Sequence, residues 1–485
     1  MTGYIEPKDR KKIMLIADTP MGISGVANVI RNIITGTAHR YNFIVIGVSL
    51  DQSIKGKKFD ISQAINAETG LTDSNVITVN HDKYDDVEFI RQVMIAERPA
   101  VVGFQTDPRY FTQLFEAAHE IQHGLFNGIP TPLCYLSIWD EYIPPHYNRA
   151  AWSSVNISLC ISKQTKLMNE IVLGEDTNVK LEYFPHGVDI KKFKPLPEDN
   201  AELVKFKKEL FKGKEYDFVL FFNSRNIQRK NIPTALLAFK ALLRNLPQDE
   251  AKRCCFVLHT QPVDNNGTDL PAVIETIFGK DKGQIIFDNI ICPPDQLNWR
   301  YNLADATVLI SEAEGFGLSG LESIAAGTPV IINMTGGMQD YANIRDDKGN
   351  WFTPSREVWS NHNKTYKNVG EWVYPVWPSN LSIVGSVPTP YIFASRADFK
   401  DVAFQMLQVY NTEREVLKEK GLAGRKWIQL PEVAMTTDAM CFNFIKHIDN
   451  LLEDWEPLPK WTVTKVDGSE VSNFTEIPDY LFEIN

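Results

Sequence analysis

Apolar and polar positions follow two recurring patterns in the first part of the chain. Short β-rich runs are "KIMLIAD", "NFIVIGV", "VITVN", "AVVGFQ", "PLCYLSI" and "NISLCIS". Between the first two lies "VANVIRNIITGTAHR", whose apolar residues recur with the period of a helix. This alternation predicts βαβ units, with a parallel sheet covered by helices on both faces.

The same alternation begins again after "YFPHGVDIKKFKPLPEDN", which is rich in proline and charge, and runs through "YDFVLFFN", "RCCFVLHT", "DATVLIS" and "TPVIIN". We therefore predict an α/β protein with two doubly wound, Rossmann-like domains, 1–197 and 198–430. The stretch from about 345 to 390 breaks the pattern and is interpreted as an irregular insertion. Residues 431–485 are predicted to form a helix and a tail that pack back on the first domain.

Charge and cysteine content narrow the class of protein. Against 50 lysines and arginines stand 61 acidic residues, giving a net charge of -11, so no general attraction to nucleic acid is expected. The apolar run before Asp18 is too short for a signal peptide or a transmembrane segment. The six cysteines show no paired Cys-x-x-Cys spacing. These features predict a cytoplasmic protein with reduced thiols, and they leave its oligomeric state open.

A glycine-containing loop joins the first predicted strand to the first predicted helix. In "IADTPMGISGVANVI", Gly22 and Gly25 allow backbone amides to approach a phosphate or a sugar at a helix N-terminus. The loop has neither the full glycine spacing of a dinucleotide fingerprint nor the lysine of a P-loop. A tight turn that binds nothing explains it equally well.

Two cations follow the first strand of the second domain. Arg225 and Lys230, in "FFNSRNIQRKNIPTALLAF", lie where open α/β sheets bind ligands, and both side chains suit a diphosphate. The alternative is a solvated basic loop, and we assign Arg229 to such a loop.

Two glutamates flank a glycine-broken turn in "SEAEGFGLSGLESIAAGTPVI". Ser319 and Glu322 match the Ser-x-x-Glu spacing of a capping box, and Glu314 is compatible with an exposed loop. A second interpretation makes the turn a ligand site. Amides at the helix N-terminus would then hold an anion, while Glu314 and Glu322 accept bonds from hydroxyls.

The two glutamates, eight positions apart with "GFGL" between them and "AAGTPVI" after, resemble the signature of the retaining GT-B glycosyltransferases of family 4. "FPHGVDIKKFKP", "SRNIQRKNIPTALLAF" and "TGGMQDY" are similar to other segments of that family. The resemblance implies two domains facing each other across a cleft, with a nucleoside diphosphate sugar on the second. It implies that Arg225 and Lys230 hold the diphosphate, that Glu322 binds ribose and that Glu314 contacts the transferred sugar. Further donor contacts are implied for the amides of Gly315, Phe316, Gly317 and Leu318 and for Gly25.

The chain departs from the family pattern at two places. Proline is common in the family where Ser319 stands, so the capping box would compete with ribose for Glu322. An acceptor-side histidine is replaced by Trp139 and Asp140 in "YLSIWDEYIPP", which makes Asp140 a catalytic candidate; His186 is not favoured as a substitute. There is no Asp-x-Asp motif, so neither a metal nor any cofactor besides the donor is expected.

The resemblance therefore implies a retaining hexosyltransferase that moves a sugar from a nucleoside diphosphate sugar to an acceptor hydroxyl in carbohydrate biosynthesis. A UDP- or GDP-sugar is the expected donor. The acceptor is expected to contact 21–25, the loop near Asp107 and 139–146. The alternative is a catalytically silent protein of the same fold that binds sugar nucleotides or acts as a scaffold.

Overall fold

A computed structural model describes residues 3–49, 52–387 and 389–457. The first sheet has eight strands in the order β3-β4-β2-β1-β5-β6-β7-β8. All pairs are parallel except the edge pair of β3 and β4. Its strands are β1 (Lys11–Asp18), β2 (Tyr41–Val48), β3 (Lys58–Asp60), β4 (Val76–His81), β5 (Val101–Phe104), β6 (Leu133–Ser137), β7 (Ile157–Cys160) and β8 (Lys180–Tyr183).

Seven helices accompany this sheet within the described residues. They are α1 (Gly25–Thr37), α2 (Ser62–Thr69), α3 (Val87–Glu97), α4 (Thr112–Glu116), α5 (Ala118–Gln122), α6 (Arg149–Ser153) and α7 (Lys163–Leu173). The first helix begins where the sequence predicts it, because Ser24 accepts a 3.0 Å hydrogen bond from the amide of Ala27 and so caps the helix N-terminus.

The second sheet has six parallel strands in the order β11-β10-β9-β12-β13-β14. These are β9 (Phe218–Asn223), β10 (Cys254–His259), β11 (Ile285–Phe287), β12 (Ala306–Leu309), β13 (Val330–Asn333) and β14 (Val373–Val376). The helices around it are α8 (Ala201–Leu210), α9 (Ile232–Asn245), α10 (Gln248–Ala251), α11 (Leu270–Phe278), α12 (Pro294–Leu303), α13 (Leu318–Ala325), α14 (Met338–Tyr341), α15 (Phe399–Tyr410) and α16 (Arg414–Ile428). The predicted class, two doubly wound α/β units, is confirmed.

Each sheet reverses its strand order at one point, and that point locates a crevice. In the first sheet the order turns between β1 and β5, and in the second between β9 and β12. Because connections leave a switch point in opposite directions, the loops after these strands leave a gap in which open α/β sheets bind ligands. The glycine loop with Gly25 follows β1, the cations follow β9, and the turn with Glu314 follows β12.

The irregular stretch near 345–390 connects the two domains. It includes part of an antiparallel hairpin, β15 (Asn380–Ser386) and β16 (Thr389–Arg396). Tyr391 of β16 donates a hydrogen bond to the carbonyl of Pro144 (3.0 Å) and accepts one from the amide of His146 (3.1 Å). Trp359 and Phe393 are buried in the hydrophobic cluster of the first domain. The insertion thus packs against the loop that follows β6.

The last described helix, α17 (Thr437–Asp454), packs against α1 of the first domain. Met440 and Phe444 join Ile30 and its neighbours in one buried cluster. Asp449 accepts hydrogen bonds from Tyr41 (2.7 Å) and Arg40 (2.5 Å). The predicted tail beyond residue 457 lies outside the described residues. Among the residues described, no helix combines the length and the apolar character needed to cross a membrane.

Candidate active site at the switch point of the second domain

Glu314 is the centre of a buried ionic cluster at the end of β12. Its carboxylate accepts a short hydrogen bond from Lys230 and one of 3.2 Å from Arg229 Nη1. The same Nη1 donates to the carbonyl of Ala313 at 2.6 Å. These bonds join the loop after β9 to the turn after β12, across the switch point.

The charges in this cluster set the protonation state of Glu314. Burial alone would raise its pKa, but Lys230 and Arg229 outweigh burial and lower the pKa to about 2. Burial lowers the pKa of Lys230, an effect that Glu314 opposes. Burial also acts to lower the pKa of Arg229, but Asp140 and Glu314 raise it overall. Glu314 is therefore a carboxylate, and it is only 8% exposed. The exposed-loop interpretation of this residue was wrong.

Arg229 had been assigned to a solvated loop, and that assignment was wrong. Its guanidinium lies between Glu314 of the second domain and Asp140 of the first, with Nη2 3.6 Å from Asp140 Oδ2. The sequence carries one weak signal for this role, because Arg229 directly precedes Lys230 at the end of a buried strand. Its acidic partners are distant in sequence, so the pattern alone could not distinguish a bridge from a surface loop.

Arg225 lies apart from this cluster. Its guanidinium forms two bonds with Asp264, Nε to Oδ2 at 2.7 Å and Nη2 to Oδ1 at 3.2 Å, and its side chain is 59% exposed. The structure thus brings Lys230 to Glu314 but leaves Arg225 at the rim of the crevice. Asp264 also accepts a 2.9 Å hydrogen bond from the amide of Asn266, so its carboxylate keeps a partner if the guanidinium moves to another one.

Glu322 does not form the predicted capping box. Helix α13 begins at Leu318, its N-cap is Gly317, and no side chain caps it. Glu322 instead accepts a 2.6 Å hydrogen bond from the hydroxyl of Tyr301, which in turn accepts one from Asn223. Burial raises the pKa of Glu322 to about 7, although the bond from Tyr301 acts in the opposite direction. The supposed competition between Ser319 and a ligand is therefore absent.

The turn before α13 requires glycine and presents backbone amides. Gly317 has φ 81°, a left-handed conformation, and a methyl group there would lie 2.8 Å from the hydroxyl of Tyr341. Within the described ranges, no carbonyl or side chain accepts a bond from the amides of Gly315, Phe316 and Leu318. The start of an eight-residue helix and these amides together form a donor-rich surface beside Glu314 and Glu322.

The first domain reaches the same turn from the opposite side. The amide of Glu314 donates to the carbonyl of Asp140 at 3.2 Å, and a methyl group on Gly315 would lie 2.8 Å from Asp140 Oδ1. A methyl group on Gly25 would lie 3.3 Å from Leu318 Cδ1. Asp140 and Gly25 thus both lie next to the glycine turn.

The other residues considered for the acceptor side have different surroundings. Trp139 is buried in the first-domain core, with ring centroids 6.1 Å from Tyr147 and 6.0 Å from Trp152. His186 packs edge-on against Phe316, with centroids 5.3 Å apart, and burial lowers its pKa to about 3. The imidazole is therefore neutral. Of these residues only Asp140 contacts the ionic cluster.

Comparisons with known proteins agree with this arrangement. Residues 173–372 match the model of a family described as "Family 4 Glycosyltransferase in conflict systems". A D-inositol 3-phosphate glycosyltransferase of Catenulispora acidiphila is 32% identical over 155 residues, 32% of this chain and 35% of that protein. An alpha-monoglucosyldiacylglycerol synthase of Streptococcus pneumoniae is 32% identical over 167 residues, 34% of this chain and 35% of that protein. The matched segments thus span about a third of the length of these curated relatives.

Solved structures resemble the chain over nearly its whole length. Sucrose-phosphate synthase from Thermosynechococcus elongatus has a TM-score of 0.62 at 14% identity, covering 92% of this chain and 100% of that one. HepE from Anabaena, solved with UDP and glucose, has a TM-score of 0.60 at 12% identity, covering 91% and 100%. At these identities the likeness concerns the fold alone. The chain therefore shares the GT-B fold of these structures, and its segment 173–372, which contains Arg225, Lys230, Glu314 and Glu322, is similar to the family 4 glycosyltransferases.

Proposed function

We propose that this protein is a retaining glycosyltransferase that moves a hexosyl group from a nucleoside diphosphate sugar to an acceptor hydroxyl. The observation that carries the proposal is the junction at the second switch point. There Lys230 and the amides of the glycine turn, which attract anions, lie beside Glu314 and Glu322, which accept bonds from hydroxyls. A nucleoside diphosphate sugar has both kinds of group, with its diphosphate between two polyhydroxylated rings.

Lys230 and Arg225 would hold the diphosphate and neutralise the charge that develops as it departs. Lys230 is in place beside the turn, and Arg225 is exposed at the rim with a side chain long enough to change partner. The amides of 315–318 would hold further oxygens of the donor. Leaving-group stabilisation by these cations and by the helix N-terminus needs no bound metal.

Glu322 would accept hydroxyls of the ribose, and Glu314 would contact the transferred sugar. Glu314 is held as a carboxylate by its two cations, and it does not act as a nucleophile in this scheme. We favour attack of the acceptor on the same face from which the diphosphate departs, with a phosphate oxygen taking the acceptor's proton. Asp140 would lie on the acceptor side and orient the attacking hydroxyl. A UDP- or GDP-sugar is the proposed donor, since HepE was solved with UDP.

A thermal-shift screen with UDP, GDP, ADP and their sugar conjugates identifies the donor, because a ligand that binds only the folded state raises its stability. Transfer of a labelled sugar from that donor to a panel of acceptors then tests the activity. Arg225→Ala is the sharpest variant, because its side chain is exposed and its loss leaves the core intact. We expect a fall in kcat of about 100-fold or more.

Lys400→Ala provides the matched control, since Lys400 is an exposed cation on α15. Its kcat should equal that of the native protein. Full activity of Arg225→Ala and of Lys230→Ala would refute the assigned roles. If the donor binds but is neither hydrolysed nor used to glycosylate any acceptor in the panel, the result would instead support the catalytically silent alternative. The family match does not favour that alternative.

A further inference from the structure

The short helix α14 is fixed to the glycine turn of the candidate site. Gly336 and Gly337 precede it, and a methyl group on either would collide with the backbone of that turn. The amide of Gly337 donates a 2.9 Å hydrogen bond to the carbonyl of Glu314, and the amide of Asp340 donates one of 3.1 Å to the carbonyl of Gly337. The helix that carries Asp340 is therefore held directly against the turn that carries Glu314.

The side chain of Asp340 contacts the first domain. Its Oδ2 accepts one 3.0 Å hydrogen bond from the amide of Lys163, the first residue of α7, and another of 3.0 Å from the hydroxyl of Tyr183, at the end of β8. Asp340 is only 4% exposed. Burial raises the pKa of its carboxyl group to about 6, an effect that Lys163 opposes. The two bonds do not require ionisation, because the carbonyl oxygen of a protonated carboxyl group also accepts hydrogen bonds.

Helix α7 has a cap of its own, so Asp340 docks this helix and is not needed to form it. The hydroxyl oxygen of Ser162 accepts a 3.0 Å hydrogen bond from the amide of Thr165, which caps the helix N-terminus within the first domain. Gln339, the neighbour of Asp340, makes a second connection across the same interface. Its side-chain nitrogen donates to Gln164 Oε1 at 3.2 Å. The beginning of α7 is thus joined to α14 by two adjacent side chains.

The first turn of α7 also holds the loop that contains Asp140. Thr165 is fully buried, and its Oγ1 donates a 3.2 Å hydrogen bond to the carbonyl of Trp139, the residue directly before Asp140. A continuous set of contacts therefore runs from the glycine turn through α14 and the beginning of α7 to Asp140. Any movement of α7 relative to α14 would change the position of Asp140 relative to Glu314.

We propose that Asp340 is a positioning residue for sugar transfer, which holds α7, and through α7 the Asp140 loop, at the distance from the glycine turn that the reaction needs. This inference rests on the proposed function and assigns a role to a residue that acts through the first domain. Displacing reacting groups by about 1 Å can lower kcat on the order of 100-fold. The nucleotide is proposed to bind mainly to the second domain, so its affinity should depend little on this contact.

The first experiment compares Asp340→Ala with Asp340→Asn in the full chain, using the donor identified by thermal shift. Both hydrogen bonds end on one oxygen atom, which asparagine keeps and alanine removes. We expect kcat of Asp340→Ala to fall about 10-fold or more, while the Kd of the nucleoside diphosphate, measured by isothermal titration calorimetry, stays within about twofold. Asp340→Asn should retain kcat within about threefold of the native value. Native kcat in Asp340→Ala, equal losses in both variants, or a Kd that rises as much as kcat falls overturns the proposal.

Tyr183→Phe is a milder variant, and it decides the question if Asp340→Ala does not fold. It removes one donor to Asp340 and keeps the ring, so kcat should fall about 3-fold at an unchanged Kd. Tyr410→Phe is the matched control, because the hydroxyl of Tyr410 donates a 2.6 Å hydrogen bond to another carboxylate, Glu250, within the second domain. Its kcat should equal that of the native protein. An unchanged kcat in Tyr183→Phe, or an equal fall in Tyr410→Phe, contradicts the proposal.

Hydrogen exchange measured by mass spectrometry tests the contact without any acceptor. In Asp340→Ala we expect the amides of 139–146 and 163–167 to exchange about 10-fold faster, and those of β9 and β12 to exchange at the native rate. Unchanged exchange in 139–146 and 163–167, or an equal increase in β9 and β12, overturns the proposal. A native protein that transfers no sugar would refute the proposed function, whereas unchanged exchange in the variant refutes the positioning contact alone.

Discussion

Replacing Glu322 by glutamine should stabilise the fold at high pH and at the same time weaken donor binding. Burial raises the pKa of the Glu322 carboxyl from 4.5 to about 7. The folded state thus binds this proton more tightly than the unfolded chain does. The stabilising contribution is fully present below pH 4.5 and is lost as the pH rises through about 7.

The size of the effect follows from that shift. Each tenfold change in proton affinity corresponds to about 1.4 kcal/mol, so the ionised carboxylate disfavours folding by about 3 kcal/mol well above pH 7. Partial contact of Glu322 with solvent reduces this to about 2 kcal/mol between pH 5 and pH 8.5. Glutamine keeps an oxygen that can accept from Tyr301, but it does not ionise. The advantage of Glu322→Gln should therefore grow by about 2 kcal/mol over this range.

Differential scanning calorimetry of the second-domain transition at the two pH values measures the effect. For a domain of this size about 2 kcal/mol corresponds to roughly 4 to 8 °C in Tm. Glu371→Gln, at an exposed glutamate of the same domain, is the control. If Tm changes by the same amount between the two pH values in the native protein and in Glu322→Gln, the argument is refuted. The increase in Tm caused by the donor nucleotide should be smaller in Glu322→Gln, because an amide accepts ribose hydroxyls less strongly than a carboxylate.

Three further outcomes are expected. Arg229→Lys keeps a charge but loses the planar fork that reaches both acidic partners, so kcat/KM should fall about 10-fold while far-UV circular dichroism stays unchanged; an unaltered kcat/KM would contradict the bridging role. Gly317→Ala should lower stability by more than Gly349→Ala in urea titrations, since both positions have positive φ, about 1 kcal/mol of strain, but only Gly317 is close to Tyr341. Overnight dialysis against EDTA should leave the transfer rate unchanged, and loss of activity restored by Mg²⁺ would show that a metal is needed.

The sequence predicts the fold because the buried strands of both sheets are continuous apolar runs. "KIMLIAD" and "NFIVIGV" contain most of β1 and β2, and "YDFVLFFN" contains β9. Edge elements were harder to find. β3 has three residues, and the hairpin of β15 and β16 lies within a stretch where apolar and polar positions follow no single period. Such short elements depend on packing partners that are distant in sequence.

Within the candidate site, patterns local in the sequence were informative, whereas contacts between segments distant in the sequence could not be predicted from them. The positions of Arg225, Lys230, Glu314 and Glu322 relative to strands and turns could be derived from the chain, but their partners could not. Glu322 had a sequence-local partner available in Ser319, yet its helix begins one residue before that serine, and the carboxylate bonds to Tyr301 on α12. The capping-box rule failed here because the fold places the buried hydroxyl of Tyr301 within hydrogen-bond distance of Glu322.

The pairing of one carboxylate with two cations has a consequence for donor binding. If Lys230 alone neutralised Glu314, a diphosphate that took Lys230 would leave a buried carboxylate uncompensated, which typically costs 3–5 kcal/mol. Arg229 removes this obstacle, because it stays hydrogen bonded to Glu314 and to the carbonyl of Ala313. Arg229 Nη2 also lies 3.6 Å from Asp140 Oδ2, so the same side chain links the charges of the donor site to the loop that follows β6. A bound diphosphate can thus replace Glu314 as the partner of Lys230 while Glu314 keeps its bond to Arg229. Asp140 remains beside Arg229 during this exchange.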